Sequence, residues 1–436
     1  MRRKISGVIT LGVLFFLVDA VALGEPQGSE LSQPYLSHQE LGVALDADIL
    51  PRQRVHVWGV LSSIAPVSGG KQALLFADWF NEAEVFSARD QRIGQRRVPF
   101  PGLPIGASAV AELRMSHYGD APLITFVHYN VSAYRHVRQH QLYREKRLQE
   151  IGRAGENDAT FPSMKTIPPF PSTAVVMMTG WWPVDAKGLT PMPVWDPDPA
   201  DLKMGGNNYT SWKRVVAIGP GESIESRQST TLVFAGRAFP FPRHVHINDL
   251  VHIKVDRPMA VRLMADIGSR KAAVLVLGRP LEAGDLLALV GMHIFSAESS
   301  TGIWGTFWWH DRPMEGPFAK DRPDNVKGVW RNYLMDTAFD AMLPREPDGS
   351  ARVCFNPWFE AKFPDGGQGN GVTSNCVNCH SRASYPTIDF LPIRRGYPEP
   401  LDDPAFAAGR VRTGQLWSVA DPSLADREKR RSRQAN

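Results

Sequence analysis

Apolar residues in this 436-residue chain come in short runs, most of them closed by Pro, Gly, Asp or Asn. With 37 Gly and 35 Pro there is little room for long uninterrupted elements. Arg54–Leu61, Ala174–Trp182 and Arg214–Ile218 are rich in β-branched and aromatic residues, and Thr230–Phe234, Ala272–Leu277 and Leu286–Phe295 continue the pattern. Short strands with frequent turns favour a sandwich or barrel over an alternating βα array. Helical spacing interrupts twice. Val137, Leu142, Leu148 and Ile151 predict a basic helix over Ser132–Ile151, and Trp330, Tyr333, Leu334, Ala338 and Met342 predict another over Val329–Met342, ending before Pro344. Arg243–Val255 reads as a hairpin turning at Asn248–Asp249. The expected fold is a mainly β, sandwich- or barrel-like region with a few helices over residues 25–345, with a subdomain break near 155–172. A small, mostly helical or irregular region over 346–436 follows. No internal repeat is visible.

Composition excludes disorder, because 43% of the chain is hydrophobic and 10% aromatic. The formal charge of +4 is concentrated at the ends, in Arg2, Arg3 and Lys4 and in Arg427, Lys429, Arg430, Arg431 and Arg433. A broad nucleic-acid-binding face is therefore not expected. Arg2–Lys4, the apolar run Ile5–Leu17 and the small residues at Ala22–Gly24 make residues 1–24 a signal peptide, and the expected location is the periplasm. After cleavage the chain is expected not to be an integral membrane protein. The competing reading is an uncleaved anchor, since Ile5–Leu23 approaches the length that spans a bilayer.

The chain has 3 cysteines, and Cys376-Val377-Asn378-Cys379-His380 reads C-x-x-C-H, the attachment sequence for c-type haem. Two thiols at this spacing can add across the haem vinyl groups, and the next residue, His380, is then held beneath the ring as proximal iron ligand. A zinc site would need a second ligand pair at matching spacing, and no second cysteine pair exists. A redox dithiol would need a βαβ setting, whereas Gly366–Gly371 before the motif is a glycine-rich loop.

Around this motif, Val353-Cys354-Phe355-Asn356-Pro357-Trp358-Phe359-Glu360-Ala361, Asn370–Asn375, Trp304–His310 and Gln415-Leu416-Trp417-Ser418 resemble a group of bacterial exported monohaem cytochrome c proteins, over roughly residues 170 to 420. The resemblance implies one covalently attached haem c and export, and supplies no reaction. Neither Met nor His follows His380, so a distal ligand must come from upstream. His293 and His310 are the first candidates, followed by Met292, Met314, Met335 and Met342. Cys354, 22 residues before Cys376, reads either as an inert buried thiol, as a thiolate near iron, or as a transient disulfide partner of Cys376 or Cys379. On the hairpin, alternation would place His244, His246 and His252 on one face that could take Zn or Cu, though a half-exposed strand alternates in the same way. Trp304, Phe307, Trp308 and Trp309 are core residues or walls of a haem pocket.

The expected activity is one-electron transfer through haem c attached at Cys376 and Cys379, serving an unidentified redox partner protein. The alternative is a haem enzyme or a redox or gas sensor with an open or labile distal position, suited to peroxide or nitrogen oxides.

Overall fold

The structure is a computed structural model that describes residues 49–68, 71–91, 93, 123–159, 162–196, 209–220, 231–299, 301–338, 352–360, 374–387 and 409–420. The expected signal peptide, Met342 and the basic cluster at 427–433 lie outside these residues. Helix α1 is Ile49–Ile64. Its buried residues Gln53, Arg54, Val57, Trp58, Leu61 and Ile64 recur at the helical period, which corrects the strand expected over Arg54–Leu61. Val55 and Val57 imitate a period of two, but the pair Val57–Trp58 with Leu61 and Ile64 marks one helical face.

The strands are β1 Val67–Ser68, β2 Lys71–Gln72, β3 Phe80–Asn81, β4 Ile124–Tyr129, β5 Lys165–Thr166, β6 Val175–Val184, β7 Thr190–Val194, β8 Arg214–Gly219 and β9 Thr231–Phe234. They continue as β10 Arg237–Pro240, β11 Arg243–His246, β12 His252–Lys254, β13 Leu286–Ser296, β14 Ile303–Trp309, β15 Tyr333–Ala338, β16 Ser384–Tyr385 and β17 Val411–Arg412. The further helices are α2 Glu82–Phe86, α3 Val131–Gln139, α4 Glu145–Ala154, α5 Arg257–Ala265, α6 Ile267–Leu277, α7 Pro357–Glu360, α8 Cys376–Ser381 and α9 Trp417–Ala420. The expected strands at Ala174–Trp182, Arg214–Ile218, Thr230–Phe234 and Leu286–Phe295 are β6, β8, β9 and β13.

The main sheet is antiparallel, ordered β15-β14-β13-β6-β4-β3, and β12 shares an edge of β13 with β14. Its two ends stay open, so among the described residues the sheet closes no barrel. Register sorts its side chains between faces. Met292, Gly305, Phe307 and Met335 share the face that α1 covers. There the Trp58 and Phe307 rings meet edge-on at 4.9 Å. His293, Phe295, Trp304, Thr306, Gly180 and Gly291 belong to the opposite face, here called the site face.

Other expectations are corrected. Ala272–Leu277 belongs to α6, where Asp266 accepts from Ser269 N at 2.7 Å and Gly278 closes the helix at φ 70°. The helix expected over Val329–Met342 is corrected over its described part, 329–338: a 3-10 turn at Gly328–Asn332 leads into β15, whose every residue is buried. Ser132–Ile151 splits into α3 and α4, with Gln141 at φ 56° in the break. The two arms of the expected hairpin do not pair. β11 runs parallel to β8 and β12 pairs with β13.

Residues on both sides of position 345 share one core. Val176, Phe295, Trp304 and Ala338 of the sheet pack with Val137, Leu148 and Ile151 of α3 and α4 and with Cys354, Cys376, Val377 and Leu416. β17 pairs with β5 and β16, so the segment 155–172 is tied to the C-terminal chain. Among the described residues no helix is long and apolar enough to cross a membrane.

Two predictions follow from this packing. A Cβ at position 305 would lie 2.3 Å from Val57 Cγ1, so Gly305→Ala is expected to destabilise the fold by about 1–3 kcal/mol. Chemical denaturation should show Val57→Ala restoring part of that loss in the double variant. The second concerns acid. Burial lowers the His128 imidazole to about 3, and burial together with His140 takes His136 to about 4. Between these values and the ordinary 6.5 of the unfolded chain, only the unfolded chain binds the protons. Stability is therefore intact above about pH 6.5 and declines as pH falls, by about 3 kcal/mol at pH 4 from His128 alone. His128→Gln should flatten the dependence of Tm on pH between 7 and 4, and an unchanged slope would refute the assignment.

Candidate functional site

The C-x-x-C-H motif forms α8, a helix too short to stand by itself. Fully buried Asn375 starts it. Its Oδ1 accepts from Asn378 N at 3.0 Å, while its Nδ2 donates to Arg352 O at 3.0 Å. One side chain thus caps the helix and ties it to the segment 352–356. Cys376 and Cys379, three apart, share a side of this turn and are both buried.

His380 Nδ1 lies 2.7 Å from Gln415 O. A carbonyl can only accept, so Nδ1 carries the proton and the lone pair of the neutral ring is on Nε2. The carbonyl is aimed by two successive left-handed residues, Gly414 at φ 59° and Gln415 at φ 65°. The second is strained for a residue with a Cβ. Trp304 lies against the His380 ring, centroids 3.9 Å apart, and its Nε1 donates to Gln415 Oε1 at 3.1 Å. Gln415 therefore grips both rings, one through its main chain and the other through its side chain.

Cys354 lies beside this motif. Its Sγ is 3.8 Å from Cys376 Sγ, and its N–H donates to Ser374 O at 2.9 Å. Burial, followed by the contact with Cys376, pushes the Cys354 thiol well above its ordinary range. Two residues earlier, Arg352 pairs with buried Asp336 and donates from Nε to Thr337 O at 2.5 Å. Arg54 of α1 lies 3.6 Å from the same carboxylate.

The segment before α8 is seated on the site face. Asn356 Nδ2 donates to Thr306 Oγ1 at 2.8 Å and to Phe307 O at 2.9 Å, and its Oδ1 accepts from Trp358 N at 3.0 Å. α7 crosses the paired glycines Gly180 and Gly291, where a Cβ on Gly180 would come within 2.7 Å of the Phe359 ring. Glu360 then reaches His293, with Oε1 3.2 Å from Nε2.

The candidate distal ligands separate on this geometry. His293 stands on the site face, one step along β13 from Phe295, whose ring meets that of Trp304 at 4.8 Å. His310 directly follows the far end of β14, six residues or roughly 20 Å beyond Trp304. There Nδ1 accepts from Arg312 N at 2.9 Å and Nε2 lies 3.4 Å from Asp196, so the structure does not bring His310 to His380. Met292 and Met335 face α1, and Met314 is exposed. Of the aromatic run, Trp304 meets His380, Phe307 packs under α1, and Trp308 lies against Trp195 and Phe318. Trp309 instead donates from Nε1 to Asp249 O at 2.9 Å. The shared face expected for His244, His246 and His252 is lost because β11 and β12 belong to different sheets. His246 Nδ1 accepts from Asn248 N at 3.0 Å, and His252 Nδ1 is 3.0 Å from Leu250 O. Among the described residues no group of three or more His, Cys, Asp or Glu could hold a metal ion.

Sequence reasoning missed Gln415 as the partner of His380 and Asn356 as the anchor of α7. The capping role of Asn375 was readable, since Asn directly before a helical turn is a strong start signal. The donor set fits a c-type haem: two thiols on one side of a turn, followed by an imidazole whose tautomer puts on Nε2 the lone pair that iron would take. The chain matches no protein-family model, no curated protein and no solved structure.

Removing the Asn356 amide leaves the buried Thr306 hydroxyl and the Phe307 carbonyl without this partner. Asn356→Ala is expected to cost about 2–3 kcal/mol and to expose the segment around α7 to protease before the rest of the sheet unfolds. Digestion that begins elsewhere at the same rate as in the parent chain would refute the anchoring role.

Proposed function

We propose that the chain is an exported single-haem c-type cytochrome that performs one-electron transfer, a member of the bacterial monohaem cytochrome c group its motifs resemble. Cys376 and Cys379 would hold the haem through thioethers, and His380 would be the proximal ligand. The observation that carries this reading is the hydrogen bond from His380 Nδ1 to Gln415 O at 2.7 Å, the outer partner that a metal-ligating imidazole characteristically has. When bound, the haem would supply an iron able to cycle between ferrous and ferric states.

The chain's own residues have definable tasks. Gln415 O fixes the tautomer and angle of the His380 ring. Trp304 covers one side of that ring, and Phe295 backs Trp304, so water is kept from this side. Asn375 and Asn356 hold the motif and its preceding segment to the sheet. Residues 1–24, read as a signal, support a periplasmic location, where an unidentified redox protein would be the partner.

A second reading is a haem enzyme or gas sensor with an open distal position. It is favoured by the engagement of His293 with Glu360 and by the distance of His310 from the motif.

Visible spectra of the exported protein test both readings. Electron transfer predicts covalent haem that survives denaturing electrophoresis and a low-spin reduced spectrum that carbon monoxide leaves unchanged. A high-spin spectrum that shifts under the gas would establish the second reading. Cys376→Ser with Cys379→Ser should abolish covalent haem, whereas His380→Ala should retain some attached haem with an altered spectrum. A purified parent chain without covalent haem would end both readings.

A further inference from the structure

The geometry points to a redox latch at the motif: in the exported, haem-free chain Cys354 and Cys376 form a disulfide that withholds Cys376 from haem attachment until a dithiol reduces it. The inference rests on the haem reading for its consequence, but the disulfide itself does not.

The two sulfurs are 3.8 Å apart, so bonding at about 2.05 Å requires a closure of less than about 2 Å. They are held in register by two hydrogen bonds beside the pair. Cys354 N donates to Ser374 O at 2.9 Å, and Asn375 Nδ2 donates to Arg352 O at 3.0 Å. Each bond joins the segment of one cysteine to the segment of the other, so docking of 352–356 against 374–376 delivers both thiols to one place. Both are buried among Trp304, Val377 and Leu416 when the segments are docked, so exchange in either direction requires the segments 352–356 and 374–376 to part. Burial also holds the Cys354 thiol in its protonated form once folded. Oxidation therefore belongs to the docking step, when the thiols are still accessible.

The balance is that of thiol–disulfide exchange. The two thiols lose two protons and two electrons to a protein disulfide, which leaves as a dithiol, and one S–S bond forms between Cys354 and Cys376. A reducing dithiol reverses this, returning the Cys376 thiol that thioether formation consumes. Cys354 then remains as a buried thiol beside the thioether.

The test uses the full chain exported in haem-starved cells, quenched in acid, alkylated with N-ethylmaleimide and mapped by mass spectrometry without reduction. The expected product is a peptide pair joined through Cys354 and Cys376, with Cys379 alkylated. A Cys376–Cys379 link, or three alkylated cysteines, would overturn the inference. In haem-replete cells, haem attachment to the parent chain should rise several-fold on adding a membrane-permeant dithiol, whereas Cys354→Ser should attach haem without that dependence. Equal dependence in both chains would overturn the gating role. Should Cys354→Ser not fold, the mapping of the parent chain decides alone. The two readings fail separately: a chain carrying the 354–376 link that never takes haem refutes the haem reading, and a haem-bearing chain whose haem-free form carries a 376–379 link refutes the latch.

Discussion

Buried amides hold this protein's C-terminal segments to its sheet. α7, α8 and α9 have four, six and four residues, and helices of that length do not persist in water. Their position is set from outside. Asn356 bonds the sheet at Thr306 and Phe307, Asn375 joins α8 to Arg352, and Gln415 joins the segment before α9 to His380 and Trp304. Because these groups are buried, water cannot replace a partner displaced by a small shift, and each unmade bond would cost the full desolvation of its group. Apolar contacts alone would leave such short elements free to slide, whereas directional bonds at three points leave one arrangement. The candidate site inherits its geometry from these clips.

The same logic explains why a charge cluster is tolerated next to Cys354. Asp336 on β15 meets Arg352 from the C-terminal segment and Arg54 from α1, and Asp321 lies 3.2 Å from Arg54. Burying these ions carries a desolvation penalty that apolar side chains would avoid. Burial accordingly pulls the Arg54 guanidinium below its ordinary value, with Asp336 opposing. What the cluster contributes is position. It joins residues 54, 336 and 352, from three separate stretches of chain, at one carboxylate, and any other alignment of the 352–356 segment strands a buried charge.

Legibility in the sequence followed the range of the interactions. β6, β8, β9 and β13 were readable because their β-branched runs end at local turn residues. α1 and α6 were misread because buried helices also use Val, Leu and Trp, so composition cannot separate them from strands. Spacing and caps can: Val57, Trp58, Leu61 and Ile64 mark one helical face, and Asp266 with Gly278 brackets α6. The segment after Trp330 failed in the opposite direction, because a strand buried on both faces repeats apolar residues densely enough to imitate a helical stripe. At the candidate site, Cys376, Cys379 and His380 stood out because the C-x-x-C-H pattern occupies five consecutive residues. Gln415 lies 35 residues from His380, and its contribution is a backbone carbonyl, which no side-chain pattern announces. Cys354 was visible as an odd thiol, but its contact with Cys376 depends on tertiary packing. His293 and His310 looked equivalent in sequence. Register separates them, since one lies beside Phe295 on the site face and the other closes the far end of β14.

On the haem reading, the groups around His380 act against each other, and their balance bears on redox behaviour. A carbonyl accepting from Nδ1 makes the imidazole a stronger donor, which favours the ferric state. The apolar cover of Trp304, Phe295 and Leu416 disfavours the additional positive charge of ferric iron. Both effects pass through Gln415, whose main chain holds His380 and whose side chain holds Trp304. A change at this residue therefore moves the hydrogen bond and the cover together. The strain of its left-handed backbone is offset by placing both groups at once. A glycine at 415 would relieve the strain and keep the carbonyl, but would release Trp304 Nε1 from its side-chain partner. The side chain, not the backbone freedom, is thus the reason a residue other than glycine stands at this turn.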